Sequence, residues 1–288
     1  MTVAVGELRL QRYRRIKSDV MMGLTMCATA ITIVPLFLIL GYLVYKGASS
    51  LNVAFFIHMP TPVGEAGGGM ANAIVGTIEL VLLACLIGVP IGLGAGLYLV
   101  ERRGSKLANA IRFAADIMMG VPSIVVGIFA FAVVVRPMGG FSTLAGAFAL
   151  AVIMAPLVTR TAEEMLLLVP HELREASLAL GVPRWRTTLS VIVRTALGGI
   201  ATGVILAIAR VSGETAPLLF TAFGNRFWST SLTSPISSLT VQVYTYAISP
   251  FPDWQRQAWA GALVLTIIVL ALEIGVRKVT GGSAHSPH

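Results

Sequence analysis

Arg210 and Glu214 stand four residues apart inside a long apolar run, in the stretch Arg210-Val211-Ser212-Gly213-Glu214-Thr215-Ala216-Pro217. A lone arginine at the centre of a bilayer costs about 2.5–3.5 kcal/mol on insertion scales, so it needs an offset. One reading is a self-contained ion pair one helical turn apart that fixes the helix. The basic-then-acidic order is, however, the weaker orientation for such a pair, and Gly213 and Pro217 point to irregular backbone beside it. The other reading turns Arg210 toward a cavity, where it meets an anionic cargo and is held by Glu214 when the cargo is absent. A guanidinium suits tetrahedral oxyanions because its planar fork of donors engages two oxygens at once. Glu79 is a further acid within an apolar run, and the sequence names no partner for it.

A second polar stretch runs from His171 to Pro183. Pro170 can open a helix there, since its missing N–H would have no partner in the first turn. Glu172 and Glu175 suit the positive N-terminal half. Leu173, Ala176 and Leu180 share one face at spacings of three and four. Gly181 can take the left-handed cap and Pro183 forbids continuation. The pattern predicts a helix of about ten residues, too short to span a bilayer. It reads either as a surface helix of a loop or as a plug that docks into a partner.

Other chemistry is not written in the chain. No G-x-x-x-x-G-K-[ST] cradle for nucleotide phosphates occurs. His58, His171, His285 and His288 make no metal-ligand spacing, and no serine, histidine and acid triad is evident. Cys27 and Cys85 lie in apolar runs and read as packing residues.

The elements that must position these residues are membrane spans. Only 12% of the residues are charged and 56% are hydrophobic, against about a quarter charged in soluble chains. Apolar runs over 20–45, 74–100, 117–135, 142–158, 189–220 and 258–276 predict six spans. The first is too long for the apolar core of a signal peptide, about 7–15 residues. The run 189–220 would be about 48 Å long if wholly helical, beyond the roughly 30 Å hydrocarbon core, so its first turns project from the membrane. The expected organisation is a basic lead over 1–19, a six-span membrane domain over 20–276 with its core over 69–276, a polar insertion over 159–188, and a tail over 277–288.

Charge sets the orientation. The net charge is +8. The basic residues concentrate in the lead, in the loop holding Arg102, Arg103, Lys106 and Arg112, between Arg160 and Arg194, and at Arg277 and Lys278. The opposite side holds Lys46, Arg136, Arg226 and Arg256. Positive loops stay cytoplasmic, which places both termini and the short helix inside. The basic charge is thereby accounted for with membrane lipid as the neighbour and no nucleic acid. The loop over 221–257 holds Phe227, Trp228, Tyr244, Tyr246, Phe251 and Trp254, read as an interfacial aromatic belt or a docking surface for an external partner. Gly88, Gly92 and Gly96 recur every four residues and predict close helix packing in lipid. Pro122 and Pro156 interrupt spans, either as packing kinks or beside a pathway.

Glu175-Ala176-Ser177 with Gly181 four positions on resembles the EAA loop of ABC importer permeases, whose pattern is E-A-A, three residues, then G. That pattern continues after nine residues with I-x-L-P; Val191 and Val193 keep its hydrophobes, while Arg194 stands where the family has proline. Over 69–224 the chain is similar to the PstA-type permeases of phosphate importers, in Ala71-Asn72-Ala73-Ile74-Val75-Gly76-Thr77, Gly120-Val121-Pro122-Ser123-Ile124-Val125-Val126-Gly127, Pro156-Leu157-Val158-Thr159-Arg160-Thr161 and Gly213-Glu214-Thr215-Ala216-Pro217.

The resemblance implies an all-α integral membrane subunit with six transmembrane helices of the type I ABC importer (MetI-like) architecture. The short helix between spans four and five becomes the coupling helix, with Glu172, Glu175, Ala176, Leu180 and Gly181 as its ATPase-coupling residues. Arg210 and Glu214 become substrate-pathway residues, with no catalytic residue in this chain. Expected partners are a PstC-type permease, two PstB-type ATPase subunits that bind the ATP and Mg, and a PstS-type phosphate-binding protein. The expected place is the bacterial inner membrane. The rival readings are the same architecture carrying sulfate or molybdate, an ion-coupled carrier exchanging at Arg210 and Glu214, and a structural scaffold.

Overall fold

A computed structural model of the chain describes the backbone of residues 2–281 apart from Val63, Gly64 and Ala66, and the side chains of residues 12–275. The expected tail from residue 282 onward, and the side chains of Arg277 and Lys278, lie outside the described residues. Within them the chain is helical, with one isolated bridge between Phe223 and Ile236.

The elements in order are α1 (Thr2–Ala48), α2 (Val53–Ile57), α3 (Ala71–Glu101), α4 (Lys106–Gly120), α5 (Ser123–Ala130), a π-helical turn (Phe131–Val135), α6 (Arg136–Met138) and α7 (Thr143–Leu167). The second half holds α8 (His171–Ala179), α9 (Arg184–Thr187), a second π-helical turn (Thr188–Ile192), α10 (Val193–Ser212), α11 (Ala216–Leu219), α12 (Leu239–Ala247) and α13 (Pro252–Gly281). Five helical stretches are long and apolar enough to cross a membrane, and six if the bent pair α4 and α5 counts as one. The protein is a multi-pass membrane protein.

The third span departs from the expected bounds of 117–135 and breaks sharply at the marked proline. Helix α4 begins at Lys106, where the Ser105 side chain accepts from the Ala108 N–H at 3.1 Å, so Arg112 lies on a helix and not in a loop. At Val121 and Pro122 the chain is extended, and the two helical arms meet at 107°. The cause is local: the residue before a proline is pushed out of the α region, and Val121 has ψ 131°. Pro156 and Pro90, by contrast, sit inside unbroken α7 and α3.

The fifth run is also re-bounded. Helical structure runs from Arg184 through the π turn to Ser212 and stops at Gly213, about 43 Å. The outer loop expected over 221–257 contains α12 and yields its last residues to α13, which starts at Pro252. Pro170 caps α8 from outside, with Leu180 as the last half-helical residue.

The core is the pair α3 and α7, which make the most extensive contact in the molecule. Gly88, Gly92 and Gly96 face α7 as the four-residue spacing predicts. A Cβ on Gly92 would lie 2.7 Å from the Val158 Cβ, and one on Gly96 2.7 Å from the Ala162 Cβ. Leu80, Leu150, Met154, Val158, Val211 and Leu218 bury themselves around this contact. Helix α1 stands apart: its Gly47 end packs on Leu263 and Trp259 of α13, and most of its apolar length is exposed.

Candidate functional site

One end of the bundle gathers the close of α3 and α7 with α8 and α9. The other gathers α2, α11 and α12. The residues singled out by sequence divide between these two ends.

Arg210 lies two residues before the end of α10, at the α11 and α12 end. Its exposed face continues back along α10 through Leu206, Gly198 and Thr195, with Thr202 partly exposed between them. Much of this stripe is small or hydroxylated. The hydroxyls of Thr195 and Thr202 donate to the Val191 and Gly198 carbonyls at 2.8 and 2.9 Å, so the helix itself satisfies them. Glu214 is not on the same helix: Gly213 ends α10, and the Glu214 carbonyl accepts from the Thr240 hydroxyl at 3.0 Å. No carboxylate of the described residues lies within ion-pair distance of Arg210. The i,i+4 pair therefore does not form, and the reading as a self-paired structural bridge loses its geometry. Glu79, on α3, is likewise without an ion-pair partner among the described residues.

At the opposite end α8 projects from α7 and folds back through a tight turn. The Gly181 N–H donates to the Leu178 carbonyl at 2.9 Å and the Val182 N–H to the Ser177 carbonyl at 3.3 Å, the paired closure of a Schellman cap. Gly181 has φ +78° with open space where a Cβ would sit. Its glycine is required by backbone conformation, not by crowding. The Ser177 and Thr187 hydroxyls hydrogen-bond at 2.9 Å within the fold-back and are buried. Glu172, Glu175, Ala176 and Leu180 all face outward. Leu180 is 84% exposed and Trp185 of α9 is 67% exposed. The expected apolar face of Leu173, Ala176 and Leu180 is thus present and uncovered.

Two charged arrangements at this end were not singled out from sequence. Glu163 of α7, whose side chain is 4% exposed, accepts from Nε and Nη2 of Arg112 at 3.0 and 2.5 Å on one oxygen. Its other oxygen accepts from Nη1 of Arg160 at 2.9 Å. Arg160 Nε reaches Asp116 at 3.0 Å. These four charges join α4 to α7. Their signal was present as opposite charges at helical spacing, Arg112 with Asp116 and Arg160 with Glu163. The second arrangement centres on Glu101, the last residue of α3. One of its oxygens accepts from Nη2 of Arg174 at 2.8 Å and from the Thr188 hydroxyl at 2.8 Å. No spacing rule could reveal it, because the three residues are far apart in the chain.

Among the described residues no cluster of His, Cys, Asp and Glu could hold a metal ion. The geometry offers instead a cation without a counter-charge on one end of a transmembrane face, and a capped apolar peg on the other.

Residues 88–278 match the family described as binding-protein-dependent transport system inner membrane component. The chain is 46% identical over 285 residues to the phosphate transport system permease protein PstA of Yersinia pestis, covering 99% of this chain and 97% of that protein. It is 45% identical to the protein of the same name in Haemophilus influenzae, covering 92% and 94%. The probable PstA of Methanocaldococcus jannaschii is 38% identical, covering 95% and 97%. Among solved structures, a chain of the inward-facing MetNI methionine ABC transporter superposes with a TM-score of 0.59 at 21% identity, covering 74% of this chain and 96% of that one. A chain of a bacterial ABC transporter that imports alginate gives 0.63 at 12% identity, covering 92% and 98%. These likenesses fix the fold as that of ABC importer permeases.

Proposed function

Because the chain belongs to the PstA family of phosphate transport system permeases, we propose that it forms half of an ATP-driven path for inorganic phosphate. The energy comes from ATP hydrolysed on a separate chain. The complete transporter pairs this chain with a PstC-type permease, two PstB-type ATPase subunits holding ATP and Mg, and a PstS-type phosphate-binding protein.

The observation that carries this reading is Arg210. Among the described residues no carboxylate pairs with its guanidinium, which stands on a face of α10 that holds Thr195, Gly198 and Thr202. A charge within a spanning helix almost always faces the bundle interior, a water-filled cavity or a partner. Against a second permease subunit, that face becomes one wall of a path, and Arg210 supplies paired donors to a phosphate oxyanion. Glu214, on the separate turn after α10, is close enough in sequence to compete for Arg210 once the helix end moves. At the cytoplasmic end, α8 with Leu173, Leu180 and the neighbouring Trp185 forms an apolar peg suited to a groove on the ATPase.

The test is labelled-phosphate uptake into proteoliposomes holding the assembled transporter, with the binding protein outside for delivery and ATP supplied to the ATPase side. Uptake should require all partners and resist excess sulfate and molybdate. Competition by sulfate or molybdate at equal potency would move the assignment to another oxyanion. Uptake by this chain alone would overturn it.

A further inference from the structure

The fold-back of α8 and α9 is joined to the bundle through two connections. On one side Leu168 to Pro170 is a non-helical connection out of α7. On the other, Thr188–Ile192 is a π-helical turn between α9 and α10, an irregular winding of the kind frequent at functional sites. Within the fold-back, the Ser177 and Thr187 contact and the Gly181 cap hold the two short helices together. A body attached only at these two connections would be free to rotate about the line between them. A push on its exposed face would then be spent on rotation and not passed into the membrane.

Glu101 removes that freedom. It sits on α3, a helix not adjacent in sequence to either link, and its carboxylate engages both arms: Arg174 on α8 and Thr188 at the start of the π turn. Arg174 is the partly covered member of α8, its side chain 26% exposed, while its neighbours Leu173 and Glu175 face outward. It therefore points back to the bundle and not to a partner. Helix α3 is in turn locked to α7 through Gly92 and Gly96.

We infer that Glu101 and Arg174 are positioning residues for energy coupling: their ion pair fastens the coupling helix to α3, so that a stroke delivered to α8 moves α3 and α7 as one body. This rests on the reading of α8 as the ATPase-docking element. It adds a third, non-sequential attachment to the two spans that flank the insertion. The surface between α8 and α3 is then a joint, and the outward face of α8 alone is the dock.

The experiment uses the complete transporter in proteoliposomes and reads three quantities: co-purification of the ATPase, ATP hydrolysis, and phosphate moved per ATP. Arg174→Gln and Glu101→Gln should each lower phosphate moved per ATP by about fivefold, the size expected for a coupling energy near the middle of the usual range. The ATPase should still co-purify with both. The double variant should be no worse than either single one, because both remove the same link. The exchanged pair Glu101→Arg with Arg174→Glu should recover most of the ratio. Leu180→Asp, on the docking face, serves as the contrast and should release the ATPase. If Leu180→Asp leaves the ATPase bound, the docking reading fails. If Leu180→Asp releases it but Arg174→Gln also does, Arg174 is a docking contact and the tether is overturned. Wild-type phosphate per ATP in Arg174→Gln, or an exchanged pair no better than the single variants, overturns it as well.

A distance measurement separates transmission from mere support. Spin labels introduced at Arg102 and Ala179, with Cys27 and Cys85 replaced, should keep a fixed separation between nucleotide-free and ATP-bound states when the ion pair is intact. With Arg174→Gln the separation should broaden or shift with nucleotide. A separation that already changes in the otherwise native chain would show that α8 and α3 do not move together.

Discussion

Arg210 and Gly181 are single residues whose roles follow from geometry that no neighbour shares. For Arg210 the decisive fact is what it lacks: no carboxylate of the described residues neutralises it. Arg210→Gln should abolish phosphate uptake while the assembled complex is still recovered. Arg210→Lys should keep a fraction of the activity with a raised KM, since lysine retains the charge but not the planar fork. Equal uptake by both variants and the native chain would remove Arg210 from the path. Gly181 is required by φ +78° and nothing else, as no atom crowds it. An L residue in that region costs about 1–2 kcal/mol, asparagine and aspartate less than most. Gly181→Asn and Gly181→Asp therefore strain the backbone alike, but the aspartate adds a negative charge at a helix C-terminus, where it is disfavoured. Gly181→Asp should uncouple ATP hydrolysis from uptake and Gly181→Asn should do so less, as measured by phosphate moved per ATP. Both positions were readable from sequence, because a charge in grease and a glycine after an apolar helix stand out locally. The absence of the Arg210 and Glu214 pair was not readable, because it depends on α10 ending at Gly213.

Helix-to-helix contacts carry the next level. The α3 and α7 interface is a row of glycines against alanine and valine, and the four-residue spacing announced it. What the spacing did not announce is which glycines matter. Gly92 would bring a Cβ to 2.7 Å of Val158, whereas Gly94, two residues away, faces open space. Gly92→Ala should be destabilising, within the roughly 1–3 kcal/mol of an overpacked core. Gly94→Ala should be neutral or stabilising by up to about 1 kcal/mol, since alanine is the better helix former. Thermal unfolding in detergent measures both, and a destabilised Gly94→Ala would show that its open face is covered by a partner. The α4 and α7 contact is electrostatic. Glu163 is buried between Arg112 and Arg160, and removing one member leaves the rest uncompensated. Glu163→Gln and Arg112→Gln should each lower stability, with a coupling energy of about 1–3 kcal/mol in the double-variant cycle. A coupling near zero would mean that solvent already screens the pair. This group is hard to see in the sequence because 101–112 reads as a basic loop, although Arg112 with Asp116 and Arg160 with Glu163 are spaced for helices. The size of the 107° bend is not legible there either, though Pro122 marks the interruption.

At the scale of the whole molecule, coupled import depends on which end faces which compartment. Structure places α8 and the ends of α3 and α7 at one extremity, and α2, α11 and α12 at the other, but only the charge distribution says which extremity is cytoplasmic. Six runs of hydrophobicity gave the architecture, because apolar length is a direct demand of the bilayer. Helix ends and the broken third span escaped, because they are decided by caps and by one Val-Pro step. The side that carries α8 holds Arg102, Arg103, Lys106, Arg174, Arg184, Arg186 and Arg194. The far side holds Lys46, Arg136, Arg226 and Arg256. The lysine and arginine bias of short loops sets orientation, so the orientation we propose puts α8 on the cytoplasmic side, and labelling tests it. A single cysteine placed at Gly67, with Cys27 and Cys85 replaced, should react with a membrane-impermeant maleimide on intact cells. One placed at Leu180 should react only after the membrane is opened, and should be protected by the bound ATPase. Labelling of Leu180 from outside would reverse the orientation. It would also separate the peg from any cytoplasmic motor, a result that the 84% exposure of Leu180 alone could not reconcile with coupled import.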